Sequence, residues 1–344
     1  MASGGANVPV RQFFVNLGFV ARSEFSAENP ARTPSPEPLA TIAERHQTKT
    51  MKHHFGDFLD RTGDYWTTIP NRERFAFIAD FEISNKDEVK ILTISKTQDK
   101  NHWEQIFDCP NLEEITLHDP SKEQVQAIRR LTNIKRLRVT FFRATDIEFI
   151  GDLHNLEELI LEYVSGFSDL TPLRKLKRLK SVHFENLRRV SDFSGLAGIE
   201  SLKYIYINGT FDWSQPIESF DFLSEIPNLE ILAMGFGVKV VNRTYPIFKS
   251  IIKNKKIKKL RLGRAFCSLE DYAFVEILLG QENITYADDT PVKLFYEHKG
   301  QIDFLGKGMR SVSSVNARDK CDTISQEYEN LKRKAKEYLE SYCG

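Results

Sequence analysis

The sequence contains few cysteines and no excess of charge of either sign. Its four cysteines, Cys109, Cys267, Cys321 and Cys343, lie far apart and form no CxxC pair, which excludes a disulfide framework and a zinc ribbon. Lys and Arg together number 48, as do Asp and Glu, so the chain as a whole is not a polyanion binder. No apolar run approaches the roughly 18 residues that a membrane-spanning helix needs. With no secretory or transit signal recognisable, these absences predict a reduced, cytoplasmic protein.

The motifs that carry common enzyme chemistry are also missing. The sequence has no HExxH, no GxSxG and no glycine-rich phosphate loop after a strand. The adjacent pair His53-His54 has no partner at a metal-ligand spacing. We therefore expect no catalytic residues, no cofactor, no metal site and no small-molecule substrate.

The first 50 residues differ in composition from the rest. Pro30, Pro34, Pro36 and Pro38 fall within nine residues, and the segment lacks the apolar density that would offset its ordering entropy. We predict a disordered extension over 1–50. Two interpretations stay open: Met51 is the true start of the chain, or the extension is an ordinary tail.

A repeated apolar frame organises the central part of the chain. In the segment LEELILE at 156–162, apolar residues stand at relative positions 1, 4 and 6. The frame recurs at intervals of 22 to 28 residues and fails at Ile284, because Asp289 falls on its third apolar position. Its eight starts are residues 89, 112, 134, 156, 179, 202, 229 and 257.

Such a frame predicts an α/β solenoid. Each repeat contributes one short parallel strand whose side chains alternate between the core and one open face, and stability comes from stacking the repeats. The return paths hold turns or helices, and we expect helices over 119–131 and 268–280. Asp119 is the expected N-cap of the first helix, whereas Ser268 and Gly280 delimit the second.

The LxxLxL frame, together with DLTPL (169–173) and DFSGL (192–196), resembles the leucine-rich-repeat family. The resemblance is to its short 22-residue subfamily, typified by a regulatory subunit of protein phosphatase 1. It implies a horseshoe with a parallel concave sheet and a role in binding proteins. The sequence departs from the family where an asparagine ladder is expected: that position holds Phe142, Val164 and Leu187 in successive repeats.

The resemblance suggests four segments. After the disordered extension 1–50 we predict an N-terminal cap over 51–88, a leucine-rich-repeat domain over 89–284 and a C-terminal cap over 285–344. The last segment contains a hairpin that turns at Lys299-Gly300 and an amphipathic helix. That helix either docks a partner or a second copy, or it packs back on the solenoid or stands free.

The concave face is the predicted binding surface for a protein partner, because aromatic and arginine side chains dominate binding hot spots. On it the chain would act as a non-enzymatic adaptor, regulator or inhibitor. The candidate contact residues are Arg136, Arg138, Phe141, Glu158, Ile160, Glu162, Tyr163, His183, Glu185, Tyr204, Tyr206, Phe236, Lys259, Arg261 and Arg264.

Two other functions remain open. Residues 249–264 contain eight basic residues and no acid, which would suit a nucleic-acid partner. Some bacterial leucine-rich-repeat proteins carry a cysteine-dependent ubiquitin-ligase domain, so an enzyme fragment related to them is the third option. Only about 60 residues follow the last repeat, however, which is too few for such a domain.

Overall fold

The computed structural model describes residues 77–78, 82–95 and 102–343. The predicted extension 1–50 and most of the predicted N-terminal cap lie outside these residues. Within the described part, ten short strands form one parallel sheet in which each strand pairs with the strand of the next repeat. The chain is thus an α/β solenoid of the leucine-rich-repeat type.

The parallel sheet contains strands from every predicted repeat. Each of these begins two residues after a frame start, so that the second and third apolar positions of the frame point into the core. The strands are β1 (Phe77–Ile78), β2 (Ile91–Ser95), β3 (Glu114–His118), β4 (Arg136–Thr140), β5 (Glu158–Glu162), β6 (Ser181–Glu185), β7 (Tyr204–Asn208), β9 (Ile231–Met234), β11 (Lys259–Arg261) and β12 (Ile284–Thr285).

The sheet is longer than the eight strands that the frame predicts. β12 begins at Ile284, where the frame fails, and its two residues still pair with β11. β1 similarly pairs with β2 ahead of the first repeat. β12 has only one buried apolar side chain, that of Ile284, which explains why a frame of three apolar positions misses this strand.

Five further strands in the described part of the chain lie outside this sheet. β8 (Gln215–Ile217) and β10 (Val238–Val240) pair with each other beside the last repeats. β13 (Phe295–His298), β14 (Gln301–Phe304) and β15 (Val312–Ser313) form a small antiparallel sheet. β13 and β14 are joined at Lys299-Gly300, where both residues have positive φ, as a two-residue hairpin turn requires.

The return paths are mostly short 3₁₀ helices, in the longer repeats that start at residues 202 and 229 as well as in the shorter ones. The α-helices are α1 (Lys122–Ala127), α2 (Glu148–Gly151), α3 (Leu269–Leu279) and α4 (Arg318–Cys343). The 3₁₀ helices are Lys86–Glu88, Trp103–Asp108, Ile128–Arg130, Thr171–Lys175, Ser194–Leu196, Asp221–Glu225, Lys249–Lys253, Gln281–Asn283 and Ser314–Asn316.

One of the predicted helix caps is wrong. Ser121, not Asp119, caps α1, since its hydroxyl accepts from the Gln124 backbone amide and its own backbone amide donates to Gln124 Oε1. Asp119 instead adopts a left-handed conformation with φ 43°. The second helix begins after Ser268 and ends at Gly280, as predicted.

The long helix α4 packs back on α3. Ile324, Tyr328 and Ala335 of its apolar face are buried. The Tyr328 hydroxyl also donates to Glu276 of α3 at 2.7 Å. The burial of this face covers the end of the solenoid, so the helix does not stand free.

The edge where the strands begin, which we call the amino edge, carries two repeating sets of bonds. Asparagine side chains donate to the backbone of the preceding repeat, as Asn155 does to the Thr132 carbonyl at 2.7 Å. The residue after each frame start is a lysine or a glutamate, and Lys135 pairs with Glu113 and Lys180 with Glu157, both at 2.7 Å. The further rungs are Asn111 to Asp87, Ser201 to Leu179, Asn228 to Glu200, Asn254 to Ile226, and Glu230 with Lys203 and Lys258.

The opposite edge lacks the asparagine ladder, as its sequence indicates. Phe142, Val164 and Leu187 fill those positions and are buried. Part of the backbone there is satisfied by Gln215, a fully buried side chain that accepts from the Leu187 amide at 2.8 Å and donates to the Val190 carbonyl at 2.7 Å. We call this side, where the strands end, the carboxyl edge.

Candidate functional site

Eleven of the predicted contact residues lie on the strands of the parallel sheet, at positions that alternate with the core residues. In β5, for example, Leu159 and Leu161 join the main core, whereas Glu158, Ile160 and Glu162 point to the other side. Strand register places these side chains in rows, with Arg138, Ile160, His183 and Tyr206 directly beside one another. We call this side the sheet face.

The first row of the sheet face is held by a charged trio. Arg136 lies between Glu114 and Glu158, at 3.4 Å and 3.1 Å from their carboxylate oxygens. Both carboxylates are fully buried. Removing the guanidinium would leave two buried negative charges together, so the trio fixes the spacing of three adjacent strands.

The second row combines an ion pair with two rings. Arg138 contacts Glu162 at 2.6 Å. Burial, and to a smaller extent Arg138, lowers the pKa of His183 to about 3, so this imidazole is neutral at neutral pH. Its ring lies 4.4 Å from that of Tyr206. His183 therefore acts as a neutral packing group rather than as a charge.

A small apolar cluster separates this charged half of the sheet face from the basic end. Ile160, Tyr204, Ile231 and Ala233 form it, and Tyr206 packs against them. It is distinct from the main core on the other side of the sheet. Five of the predicted contact residues at the centre of the sheet face are buried: Glu158, Ile160, His183, Tyr204 and Arg261. The centre of the sheet face therefore exposes less area to a partner than an open strand would.

The exposed candidates lie at the carboxyl edge. Phe141 and Tyr163, each the first residue after its strand, are exposed, and so is Phe236. The rings of Phe141 and Tyr163 stack with centroids 4.9 Å apart, and His118 meets Phe141 edge-on at 5.4 Å. We call the stacked rings of Phe141 and Tyr163 the aromatic stack.

The backbone of the aromatic stack is unusual. Phe141 and Tyr163 both have φ of 55°, a left-handed conformation that bulky residues rarely adopt. The amides of both donate to the next strand, to the Glu162 and Glu185 carbonyls. These bonds extend the ladder of the sheet by one residue and hold the rings outward.

Sequence reasoning missed four polar or aromatic groups of the carboxyl edge. His118, Asn186, Asn208 and Phe211 belong to the same edge as the aromatic stack. In the structure, Asp119, Phe141, Tyr163 and Asn186 stand at one frame position and share the left-handed conformation. The outward-pointing frame positions alone do not reveal it, because those positions stop at the strand ends.

The basic segment 249–264 is less free than its sequence suggests. Lys259 and Arg261 both contact Asp289, at 2.9 Å and 2.8 Å. Arg264 pairs with Asp303 at 2.9 Å, and Lys258 with Glu230 at 3.1 Å. Half of its eight basic residues therefore form ion pairs with acidic residues of the same chain. The nucleic-acid function stays a prediction, and these ion pairs reduce the positive charge that could attract phosphate groups.

The described residues contain no group of three His, Cys, Asp or Glu side chains that could hold a metal ion.

A cavity of about 290 Å³ lies near the start of α3. Both signs of charge line it, with Arg243 and Lys307 facing Glu270 and Asp271. No helix in the described part of the chain is long and apolar enough to cross a membrane.

Comparison with known proteins gives no close relative. No protein-family model matches the chain, and the search of curated proteins finds no match. Among solved structures, internalin C2 of Listeria monocytogenes is similar, with 20% identity and a TM-score of 0.35 over 52% of this chain and 72% of that one.

Two further structures cover more of this chain. They are an internalin (inlF) of Listeria monocytogenes, with 16% identity and a TM-score of 0.37, and a leucine-rich-repeat protein of Leptospira interrogans, with 14% and 0.31. In both cases the alignment covers 58% of this chain and 60% of the other. At such values the assignment of the fold rests on the repeat frame and the sheet itself, and the likeness to the 22-residue subfamily stays a prediction.

Proposed function

We propose that this chain is a non-enzymatic module that binds a protein partner through the sheet face, with first contact at the carboxyl edge. The aromatic stack carries the proposal. It combines exposed rings, close stacking and a backbone conformation that costs free energy in isolation. Such outliers persist where a surface is shaped for contact, and exposed aromatic side chains are typical anchors of protein interfaces.

The choice of test residues follows from burial. Arg138 and Arg261 are poor probes, although they are central in the sheet face, because each is engaged in an ion pair within the chain. Reversing either charge would place a second carboxylate beside Glu162 or Asp289 and would leave that acid without its partner. Phe141 and Tyr163 can be truncated with much less disturbance of the fold.

The experiment is affinity purification from the native cell with the full chain and with the double variant Phe141→Ala/Tyr163→Ala. We expect the double variant to retain at least about tenfold less of the partner than the wild type does. Tyr296→Ala is the matched control, since Tyr296 is an exposed aromatic residue on the separate antiparallel sheet. Equal recovery by the wild type and the double variant would contradict the proposed surface.

The role of the interaction belongs to the same proposal. An adaptor, a regulator and an inhibitor would all use this surface, and the identity of the retained protein distinguishes them. Binding in the cytoplasm is the corresponding prediction for location.

A further inference from the structure

Two pairs of aromatic side chains stand apart on the carboxyl edge. The aromatic stack follows β4 and β5, and a second pair, Phe211 and Phe236, lies beyond the ends of β7 and β9. The rings of the second pair are 4.6 Å apart, and the two residues are 85% and 59% exposed. Apolar rings that are grouped in this way on a surface mark places where another molecule binds.

The backbone holds the second pair of rings in place. The Gly209 amide donates to the Phe236 carbonyl at 2.7 Å, and the Gln215 amide donates to the Gly237 carbonyl at 2.8 Å. The two loops approach so closely that a Cβ atom added at Gly209 would clash with the Gly237 carbonyl oxygen. Because these loops are fixed to each other, a partner would lose little ordering entropy on contacting the rings of Phe211 and Phe236.

Two arginines lie between the two pairs of rings. The chain turns directly after β6, where the Val190 amide donates to the Leu187 carbonyl at 3.0 Å, and Arg188 and Arg189 are exposed in this turn. Neither arginine forms an ion pair with another residue in the described part of the chain. We call residues 187–190 the arginine turn, and its two positive charges are available to a partner.

Strand order fixes the spacing along this edge. β5, β6 and β7 are neighbours, and the amides of Tyr163 and Asn186 donate to the Glu185 and Asn208 carbonyls, which continues the register past the strand ends. Neighbouring strands lie about 4.8 Å apart, so the strands that precede Tyr163 and Phe211 are separated by about 10 Å, with the arginine turn halfway. An extended peptide advances about 3.3 Å per residue and covers this distance in about three residues.

We propose that the arginine turn and the two pairs of rings bind an acidic segment of a protein partner, in which apolar residues flank the acidic ones. The inference rests on the proposed function and names the chemistry of the partner. Carboxylates of the segment pair with Arg188 and Arg189, and its apolar side chains cover the rings on either side. The aromatic, basic and aromatic order of the edge thus selects an apolar, acidic and apolar order in the partner.

Acidic residues on the same edge favour a peptide over a nucleic-acid strand. Asp119 and Asp212 are exposed, next to Phe141 and Phe211 respectively. A continuous phosphate backbone would bring negative charge close to both, whereas a peptide can place its carboxylates opposite the arginine turn alone. The rings of the second pair are also inclined at 43° to each other, so they offer no common plane on which successive bases could stack.

The first test compares designed peptides with a nucleic acid. The full chain is titrated with acetyl-Gly-Ser-Phe-Glu-Glu-Phe-Ser-Gly-amide, with peptides that carry Gln-Gln or Lys-Lys in place of Glu-Glu or Ala in place of both Phe, and with single-stranded oligothymidylate. Binding is followed by NMR. At low salt we expect the Glu-Glu peptide to bind about fivefold more tightly than the Gln-Gln peptide and at least about tenfold more tightly than the Ala peptide.

Several outcomes of this titration would overturn the inference. They are equal binding of the Glu-Glu and Gln-Gln peptides, equal binding of the Phe and Ala peptides, tighter binding of oligothymidylate than of the Glu-Glu peptide, and no binding of the Glu-Glu peptide up to its solubility limit. Added salt should reduce the difference between the Glu-Glu and Gln-Gln peptides, since it screens exposed charges.

The second test reverses the charge of the arginine turn. Arg188→Glu/Arg189→Glu changes two exposed side chains and should prefer the Lys-Lys peptide to the Glu-Glu peptide, which a loss of folding would not produce. Lys255→Glu/Lys256→Glu is the matched control, because it reverses two adjacent exposed charges in a turn at the amino edge. The control should keep the wild-type preference. An unchanged preference in the arginine variant would overturn the inference.

The third test removes one ring of the second pair. Phe211→Ala should weaken binding of the Glu-Glu peptide at least about fivefold and leave the ratio between the Glu-Glu and Gln-Gln peptides unchanged, since it removes an apolar contact and no charge. Tyr296→Ala, which removes an exposed ring on the separate antiparallel sheet, should bind as the wild type does. Wild-type affinity in Phe211→Ala would overturn the flanking apolar contact.

Failure of this inference can be distinguished from failure of the proposed function. Loss of the native partner in Phe141→Ala/Tyr163→Ala, combined with equal binding of the Glu-Glu and Gln-Gln peptides, would leave protein binding in place and overturn the acidic segment. A clear preference for the Glu-Glu peptide that depends on Arg188 and Arg189, combined with full retention of the native partner by that double variant, would support the arginine turn and overturn the wider binding surface.

Discussion

The two edges of the parallel sheet are built from the same repeats but differ in how completely the chain satisfies them. At the amino edge, lysine and glutamate side chains of neighbouring repeats form ion pairs, and asparagine side chains donate to the backbone of the preceding repeat. At the carboxyl edge, two aromatic residues adopt left-handed backbone and two buried amide oxygens have no hydrogen-bond partner among the described residues.

Under the proposed function, the difference separates a structural edge from the edge that contacts a partner. The amino edge stacks repeats with redundant small contributions, so a partner would gain little by contacting it. The carboxyl edge keeps strained and incompletely satisfied groups, which the rest of the solenoid tolerates. The predictions below test this contrast.

The largest effect is expected at Gln215, which alone supports part of the carboxyl edge. Replacing Gln215 with leucine leaves the Leu187 amide and the Val190 carbonyl buried without their partner. We expect the free energy of unfolding to fall by about 3 kcal/mol, the cost of orphaning two buried groups. Urea denaturation followed by circular dichroism measures it.

Asn155→Ala provides the comparison at the amino edge. It removes two exposed hydrogen bonds, one to the Thr132 carbonyl and one from Arg178, and the neighbouring rungs remain. We expect a loss of about 1 kcal/mol or less. Similar losses for the two variants would contradict the view that only the amino edge is redundant.

The next effect concerns backbone strain at Phe141. Alanine there loses the ring but keeps a side chain at φ 55°, whereas glycine loses the ring and tolerates that φ. We expect Phe141→Gly to be more stable than Phe141→Ala by about 1 kcal/mol, the reverse of the usual order. The same two substitutions at Lys135, which directly precedes β4 at the amino edge, should show the usual order, in which the alanine variant is the more stable. If the alanine variant were the more stable one at both positions, backbone strain at Phe141 would be excluded.

The repeats show how much of the fold is readable from the sequence. The apolar frame predicts the solenoid and places most strands, because each strand must bury two alternating side chains such as Leu159 and Leu161. It misses β12, where Ile284 alone is enough. It also misplaces the cap of α1, since Pro120 makes Asp119 look like an N-cap although Ser121 supplies the bond.

The candidate site is less readable. Period-two alternation finds the sheet face, including Arg138 and Tyr206, but it cannot distinguish side chains that are engaged within the chain from those that are available. That distinction depends on contacts between repeats, such as Arg138 with Glu162. The left-handed conformation of Tyr163 depends on the bond from its amide to Glu185 of the next repeat, which no local propensity encodes.

The edges should also respond oppositely to acid. Burial raises the pKa of Glu185, so the folded state binds this proton more tightly than the unfolded state and gains stability as the pH falls through that raised pKa. Glu185→Gln should therefore be more stable than wild type near pH 7, by no more than about 1 kcal/mol, and the advantage should shrink toward pH 4.5. Unfolding midpoints in urea at several pH values measure the difference. A destabilised Glu185→Gln at neutral pH would contradict the poor compensation of this charge.

The smallest effect is expected for Glu113 at the amino edge. The hydrogen bond from Lys135 lowers the pKa of Glu113, so its contribution is present above the ordinary value of 4.5 and is lost as the pH falls through the lowered pKa. Because the pair is exposed, Glu113→Lys should cost about 0.5 kcal/mol at low salt, and the reversed pair Glu113→Lys/Lys135→Glu should recover most of it. Added salt should reduce both differences, since it screens exposed charges. A loss that persists in high salt and is not recovered by the reversed pair would mean that the amino edge depends on this one side chain, and the contrast with the carboxyl edge would then fail.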